Sequence, residues 1–268
     1  HLGGVDNFCW PNIQYDPESN PDGKLKAAQL VRANWALRDY CLGFGIPLLS
    51  GKDSMYVDGN LEGYFGERHK VSGLETLQFT GTSVIEDVQR CVTMDAKMEG
   101  DFLYALGLTR NELAGSEYYD VFGYTGLEVP QVRLEEVLPL YRALEESIRT
   151  DLVASVRGIY RGGLGVHLAL VAMAGGLGLD VELAKVPAEE VRRDDTLLYS
   201  ESAGRFIVTV TPKDRVHFEE KFKGLPCACF GRVTRGKKLR VRGLAGEVLF
   251  NIGLQQLKKA WKKAFANL

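Results

Sequence analysis

The sequence predicts an α+β architecture, with a small mixed or antiparallel sheet first and an α/β sandwich, helices packed on a mixed sheet, after it. Two observations carry this reading. Short β-branched or alternating runs separated by glycine-bearing turns fill residues 47–97, behind one long helical stretch. Beyond that point strands and helices alternate through two α/β units. At 268 residues and 45% hydrophobic, the chain is long enough for two domains with separate cores, and the change of rhythm divides it into residues 1–98 and 99–268.

In chain order, "KLKAAQLVRANWALRDYCLGFG" reads as a helix. Ala28, Val31, Trp35 and Leu42 recur at three-to-four spacing, and Gly43 and Gly45 stop it. "PLLSGKDSMYV", "TLQFTGTSVIED" and "RCVTMDAK" read as strands, with "DGNLEGYFGERHKVSG" between them as an exposed loop. In the second part "DFLYALGL" is a buried strand. "PLYRALEESIRTDL" is a helix with Pro139 in its first turn and Leu140, Leu144 and Ile148 on one face. "VASVRGIYRGGLGVHLALVAMAGG" is strand, glycine turn and helix. "GRFIVTVTP", "CACFGRVT" and "KLRVRG" are strands, "KDRVHFEEKFKG" is a helix, and "LFNIGLQQLKKAWKKAFANL" is a closing amphipathic helix.

Composition excludes several classes. The formal charge is −2 with Lys and Arg scattered, which suggests neither a nucleic-acid groove nor a basic membrane face. The longest apolar stretch, residues 164–179, carries His167 and is too short to cross a bilayer, so the sequence points to the cytoplasm. Cys9, Cys41, Cys91, Cys227 and Cys229 are an odd count without a CxxC pair and read as reduced, mostly buried thiols; the four histidines show no zinc spacing. A chain opening on "HLGGVDNFCWPN" has no signal-peptide pattern and reads as a piece of something longer.

Three stretches could carry chemistry. In "LLSGKDSM", Gly51 permits a sharp turn that gathers Lys52, Asp53 and Ser54 where a sheet ends, to hold a phosphate or its metal or to make an ordinary polar hairpin tip. In "GVDNFCWPN", Asp6 can approach a metal or a ribose hydroxyl, or cap its own backbone. In "YRGGLGVHL", Gly162 and Gly163 feed a helix start whose free N–H groups suit phosphate, or else let a helix pack close to a sheet. His167 reads as a structural histidine, Glu201 and Arg205 as a local ion pair, and "KKAWKK" as a solvated helix face.

Taken in order, "GVDNFCWPN", "ANWALRDYCLGFGIPLLSGKDSMY", "GIYRGGLGVHLALVAMAGGLGLDVEL", "YSESAGRFIVTV" and "CFGRVT" resemble the C-terminal half of the phosphoribosylformylglycinamidine synthase family, across essentially the whole chain. "SGKDSM" is the most specific of these words. The resemblance implies a superfamily shared with aminoimidazole ribonucleotide synthetase, in which a β-rich A domain precedes an α/β B domain. It also implies ATP contacts at Asp6 and Gly51 and a formylglycinamide ribonucleotide contact at Ser54; the phosphate contacts expected at Lys52, as a point charge, and at Gly162 and Gly163, at a helix start, come from the residues themselves. The implied cofactors are ATP and magnesium, but two departures put magnesium in doubt. Lys52 stands where many small-type members have an asparagine ligand, and a protonated lysine cannot coordinate a metal. "GIYRGGL" replaces a "DxSDGGL"-like word, so Gly158, Tyr160 and Arg161 stand where carboxylates and a serine would be.

The reaction implied is ATP-dependent conversion of an amide to an amidine, in which ammonia from a glutaminase partner displaces phosphate from an activated amide oxygen. No catalytic residue is expected in this chain, because the family's catalytic histidine lies in its N-terminal half. That half, the glutaminase, a ribonucleotide and a second copy bound through the A domain are the implied partners; nucleic acid and membrane are not. Two other functions remain open: a non-catalytic pseudo-nucleotide-binding module of the same synthetase, and another ATP-dependent kinase or synthetase of the superfamily.

Overall fold

A computed structural model describes residues 2–263 and divides the chain into two compact units, residues 1–86 and 87–268. In the first unit β1 (Leu2–Trp10) leads into α1 (Gly23–Phe44), β2 (Leu48–Met55), β3 (Asp58–Glu62), β4 (Arg68–Ser72) and β5 (Thr76–Ser83). β1 is the middle of a three-stranded sheet, parallel to β2 and antiparallel to β5. A parallel neighbour needs a crossover, and α1 supplies it. The helix stops at Gly45 (φ 67°), whose N–H caps the carbonyls of Cys41 and Leu42.

Phe8 and Trp10 face α1 and pack on Leu37, with Leu30, Ala33, Cys41, Met55, Leu77 and Phe79 around them. The indole N–H of Trp10 donates to the Lys26 carbonyl at 2.9 Å. The buried stripe of α1 is therefore the one through Leu30, Ala33 and Leu37. Val31, Trp35 and Leu42, expected to face the core, are exposed on the other side of the helix. Both stripes are apolar, and spacing alone does not rank them.

Three further expectations change here. Residues 48–55 run as one strand with no turn at Gly51, because pairing with β1 continues through Met55. The stretch 58–73 is a hairpin, β3 paired with β4 from Asp58↔Ser72 to Glu62↔Arg68. "RCVTMDAK" is not a strand. Residues 88–90 form one 3-10 turn capped by Asp87, and an irregular segment follows in which Val92 and Ala96 join the hydrophobic clusters of the second unit. That burial sets the start of the second unit at Asp87, where the sequence suggested 99.

The second unit is built on a mixed seven-stranded sheet of β6 (Phe102–Leu106), β7 (Ser155–Ile159), β8 (Gly178–Glu182), β9 (Arg205–Val210), β10 (Cys227–Thr234), β11 (Lys238–Arg242) and β12 (Val248–Gly253), in the order β12-β11-β8-β10-β6-β9-β7. Its helices are α2 (Glu117–Val121), α3 (Leu134–Arg149), α4 (Gly163–Gly175), α5 (Asp194–Tyr199), α6 (Arg215–Lys221) and α7 (Leu254–Lys262). One core joins Leu164, Leu168 and Val171 of α4 to Leu103, Val181 and Val241 of the sheet. A second joins Leu140 and Leu144 of α3 and Phe218 of α6 to Tyr104 and Val208. Pro139 lies inside α3 rather than in its first turn, since the helix starts at Leu134. "LFNIG" is strand β12 and not helix, because it pairs with β11; residues 264–268 of the expected closing helix lie outside the described residues. The expected α+β class holds, and among the described residues no helix is long and apolar enough to cross a membrane.

The two stripes of α1 separate in a mutational test. Leu37→Ala removes a side chain only 8% exposed and is expected to lower the unfolding free energy by about 2 kcal/mol, whereas Trp35→Ala, 59% exposed, changes it by less than about 0.5 kcal/mol in urea denaturation.

Candidate functional site

The parallel ladder brings two of the sequence words together. Asp6 lies opposite Gly51, Asn7 opposite Lys52 and Cys9 opposite Ser54. Partners opposite one another share a face of the sheet and successive rungs alternate, so the four expected residues separate into two pairs. Asp6 and Gly51 are on the α1 face, with Phe8 and Trp10. A Cβ on Gly51 would lie 2.6 Å from Asp6 Oδ1, so glycine is what leaves room for the carboxylate. Burial raises the pKa of the Cys41 thiol on α1, and the negative charge of Asp6 adds to the rise.

Lys52 and Ser54 are on the opposite face. Lys52 Nζ donates to Ser54 Oγ at 2.6 Å; Lys52 is exposed and Ser54 half-buried. Asn7 shares this face, and its Oδ1 is buried without a hydrogen-bond partner among the described residues. Its place on this face follows from its register with Lys52.

Gly162 and Gly163 belong to the second unit, at the start of α4. Both have positive φ, 88° and 67°, and a Cβ on Gly163 would lie 2.6 Å from the Leu198 carbonyl. The amide offered to phosphate by the sequence already has an acceptor. Gly162 N–H donates to Glu201 Oε1 at 2.8 Å, and the same oxygen accepts from Glu117 N–H at 3.0 Å. Arg161, exposed, pairs with Glu117.

Glu201 therefore does not pair locally with Arg205, as the sequence suggested. Arg205 points inward, 2% exposed, and donates to the carbonyls of Ser202 (2.9 Å) and Ser200 and to Thr109 Oγ1 (2.9 Å). Burial lowers its pKa to about 10, so the guanidinium stays charged at neutral pH.

His167 is 2% exposed on the core side of α4. Its Nδ1 faces Arg157 Nε at 3.0 Å and its Nε2 faces the Tyr160 amide at 3.1 Å. Burial first, and the Arg157 charge second, lower its pKa to about 4. It is the buried structural group the sequence suggested.

Among the described residues no group of three or more His, Cys, Asp or Glu side chains is placed to hold a metal ion. Lys52, Gly158, Tyr160 and Arg161, at the positions where the resemblance implied ligands, do not fit one.

Two measurements follow. Glu201→Ala leaves the Gly162 and Glu117 amides without their acceptor and is expected to cost about 2 kcal/mol in urea denaturation, with faster hydrogen exchange at both amides; Glu201→Gln, which keeps an acceptor oxygen, costs less. His167 binds its proton more weakly folded than unfolded, so its contribution to stability is complete above about pH 6.5 and is lost as pH falls toward about 4. The loss is expected to reach about 3 kcal/mol, read as the difference between the pH profiles of the native chain and His167→Gln.

Comparison with known proteins agrees with this fold. Residues 98–243 match the family described as AIR synthase related protein, C-terminal domain. The chain is 31% identical over 252 residues to phosphoribosylformylglycinamidine synthase subunit PurL of Methanocaldococcus jannaschii, covering 93% of this chain and 33% of that protein. It is 35% identical over 248 residues to the PurL subunit of Moorella thermoacetica, covering 91% and 32%. The structure of Thermotoga maritima PurL complexed with FGAR superposes with a TM-score of 0.67 at 18% identity, over 96% of this chain and 39% of that one. The chain thus spans about one third of the length of the curated relatives it matches. The chain belongs to the AIR synthase related protein family, whose C-terminal domain it carries in its second unit.

Proposed function

We propose that this chain is part of an ATP-dependent C–N ligase that converts formylglycinamide ribonucleotide to the amidine in purine biosynthesis, and that it supplies one wall of the nucleotide and substrate site. The observation that carries the reading is the placement of Asp6 against Gly51 on adjacent parallel strands, with Lys52 and Ser54 one and three residues further along β2. Relatives that share the fold include PurL structures complexed with ATP, with ADP and with FGAR.

In this reading ATP phosphorylates the substrate's amide oxygen, and ammonia attacks the resulting imidate carbon and expels phosphate. Catalysis of this kind depends on position and on charge neutralisation. Lys52 contributes a point charge toward phosphate, and Ser54 contributes a hydroxyl toward the ribonucleotide. Magnesium is not assigned to donors of this chain. The remaining part of the synthetase, with the catalytic histidine, and a glutaminase that makes ammonia are the proposed partners, in the cytoplasm. The uncovered sheet face and the free edge of β2 offer the surface for that remaining part or for a second copy.

A second reading is favoured by one observation in the other unit. Glu201 occupies the amide at the start of α4, which supports a non-catalytic, structural role for that half's own nucleotide pseudo-site. Calorimetric titration of this chain with ADP separates the two: strong magnesium-dependent binding contradicts the structural reading. For the site on β2, Ser54→Ala and Lys52→Met in the assembled synthetase are each expected to weaken substrate or nucleotide binding by about tenfold with unchanged stability; unchanged KM values for both ligands would remove β2 from the site.

A further inference from the structure

β7 is an edge strand of the seven-stranded sheet, and the irregular segment before β6 runs beside it, where Val156 N–H donates to the Thr93 carbonyl at 3.1 Å. A cavity of about 580 Å³ opens between these elements and the C-terminal end of α4. Met94, Val156 and Ala174 give it an apolar floor. Tyr160 forms a wall. Its ring lies against Gly158, where a Cβ would come 2.7 Å from Tyr160 Cε1, so the missing side chain is what admits the ring.

Arg157 is the cation of this cavity, and among the described residues it has no ion pair. Its guanidinium lies 5.1 Å from the centre of the Tyr160 ring, and its Nε faces His167 Nδ1. That contact conflicts with the chemistry of a neutral imidazole, which carries one proton and offers one acceptor. The Tyr160 amide is fixed at the end of β7 and points at Nε2, and a neutral ring that accepts there carries its one proton on Nδ1. The N–H of Arg157 then meets the N–H of His167, donor to donor. Asp95, also on the rim, does not relieve this, because its carboxylate is held by Lys97 at 2.6 Å.

We infer that this cavity binds a small organic carboxylate, its two oxygens accepting from Arg157 and its apolar or planar body lying between Tyr160 and the Met94, Val156 and Ala174 floor. The planar guanidinium suits a bidentate carboxylate, and about 580 Å³ is within the usual range for a small-molecule site. The inference does not depend on the purine reading, since it concerns a different unit and different residues.

Benzoate and benzamide, equal in shape and different in charge, are the probes, titrated into the 268-residue chain by calorimetry. Benzoate is expected to bind and benzamide to bind at least about tenfold more weakly. Arg157→Met is expected to cost benzoate a similar factor. Gly158→Ala, which displaces the Tyr160 ring without touching the cation, is expected to weaken it several-fold. If Arg157→Met does not fold, Arg157→Lys decides, since it keeps the charge and loses the fork, and its affinity is expected to fall. Nitrogen-15 spectra of His167 are expected to show the proton on Nδ1. Equal binding of benzamide, undiminished binding in the Arg157 variant that folds, full displacement of benzoate by equimolar inorganic phosphate, or a proton on Nε2 would each overturn the proposal.

Discussion

The parallel ladder between β1 and β2 sets Asp6 opposite Gly51 and Asn7 opposite Lys52, and the candidate site follows from that register. A slip of one residue would exchange the faces of every side chain on β2 and put a side chain where Asp6 now has the space of Gly51. The register is held from below by Phe8 and Trp10 on Leu37, and by the helix that must cross over to make the strands parallel. Parallel strands are ordinarily buried on both faces, yet every residue of β2 up to Asp53 is exposed. Such an edge carries its polar groups where a ligand or another polypeptide can reach them, and Lys52 and Asp53 discourage indiscriminate pairing with other strands.

In the second unit the amides at the starts of α2 and α4 are satisfied internally. The start of α4 is the kind of place where an anion binds, and the anion there is the chain's own Glu201, which also receives the first amide of α2. Arg205 carries its charge into the core by donating to two carbonyls and a hydroxyl, and the negative charges of Glu112 and Glu201 favour it further. Arg157 is the contrasting case, a guanidinium that has no ion pair among the described residues and whose Nε faces a ring nitrogen.

Much of the fold was legible in the sequence. The spacing of Leu140 and Leu144 marked the buried face of α3, the run "GRFIVTV" was read as the strand that is β9, and Gly45 marked the end of α1. Of the candidate site, Asp6, Gly51, Lys52 and Ser54 were legible only as words in order; their division between two faces was not, because a glycine beside polar residues also makes a turn. Glu201 was read with Arg205 because they are close in sequence, while its amide partner Gly162 is 39 residues away.

By itself, the sequence determined the α+β class, most of the element types and the family. These depend on local periods and on stop residues, whose effect is complete within a turn or a strand. The tertiary structure decided which of two apolar stripes α1 buries, that residues 48–55 continue as a strand, that 58–72 fold into a hairpin and that β12 precedes α7. Each of those outcomes depends on a partner distant in the chain, and a local pattern fixes which residues share a face without fixing what that face meets.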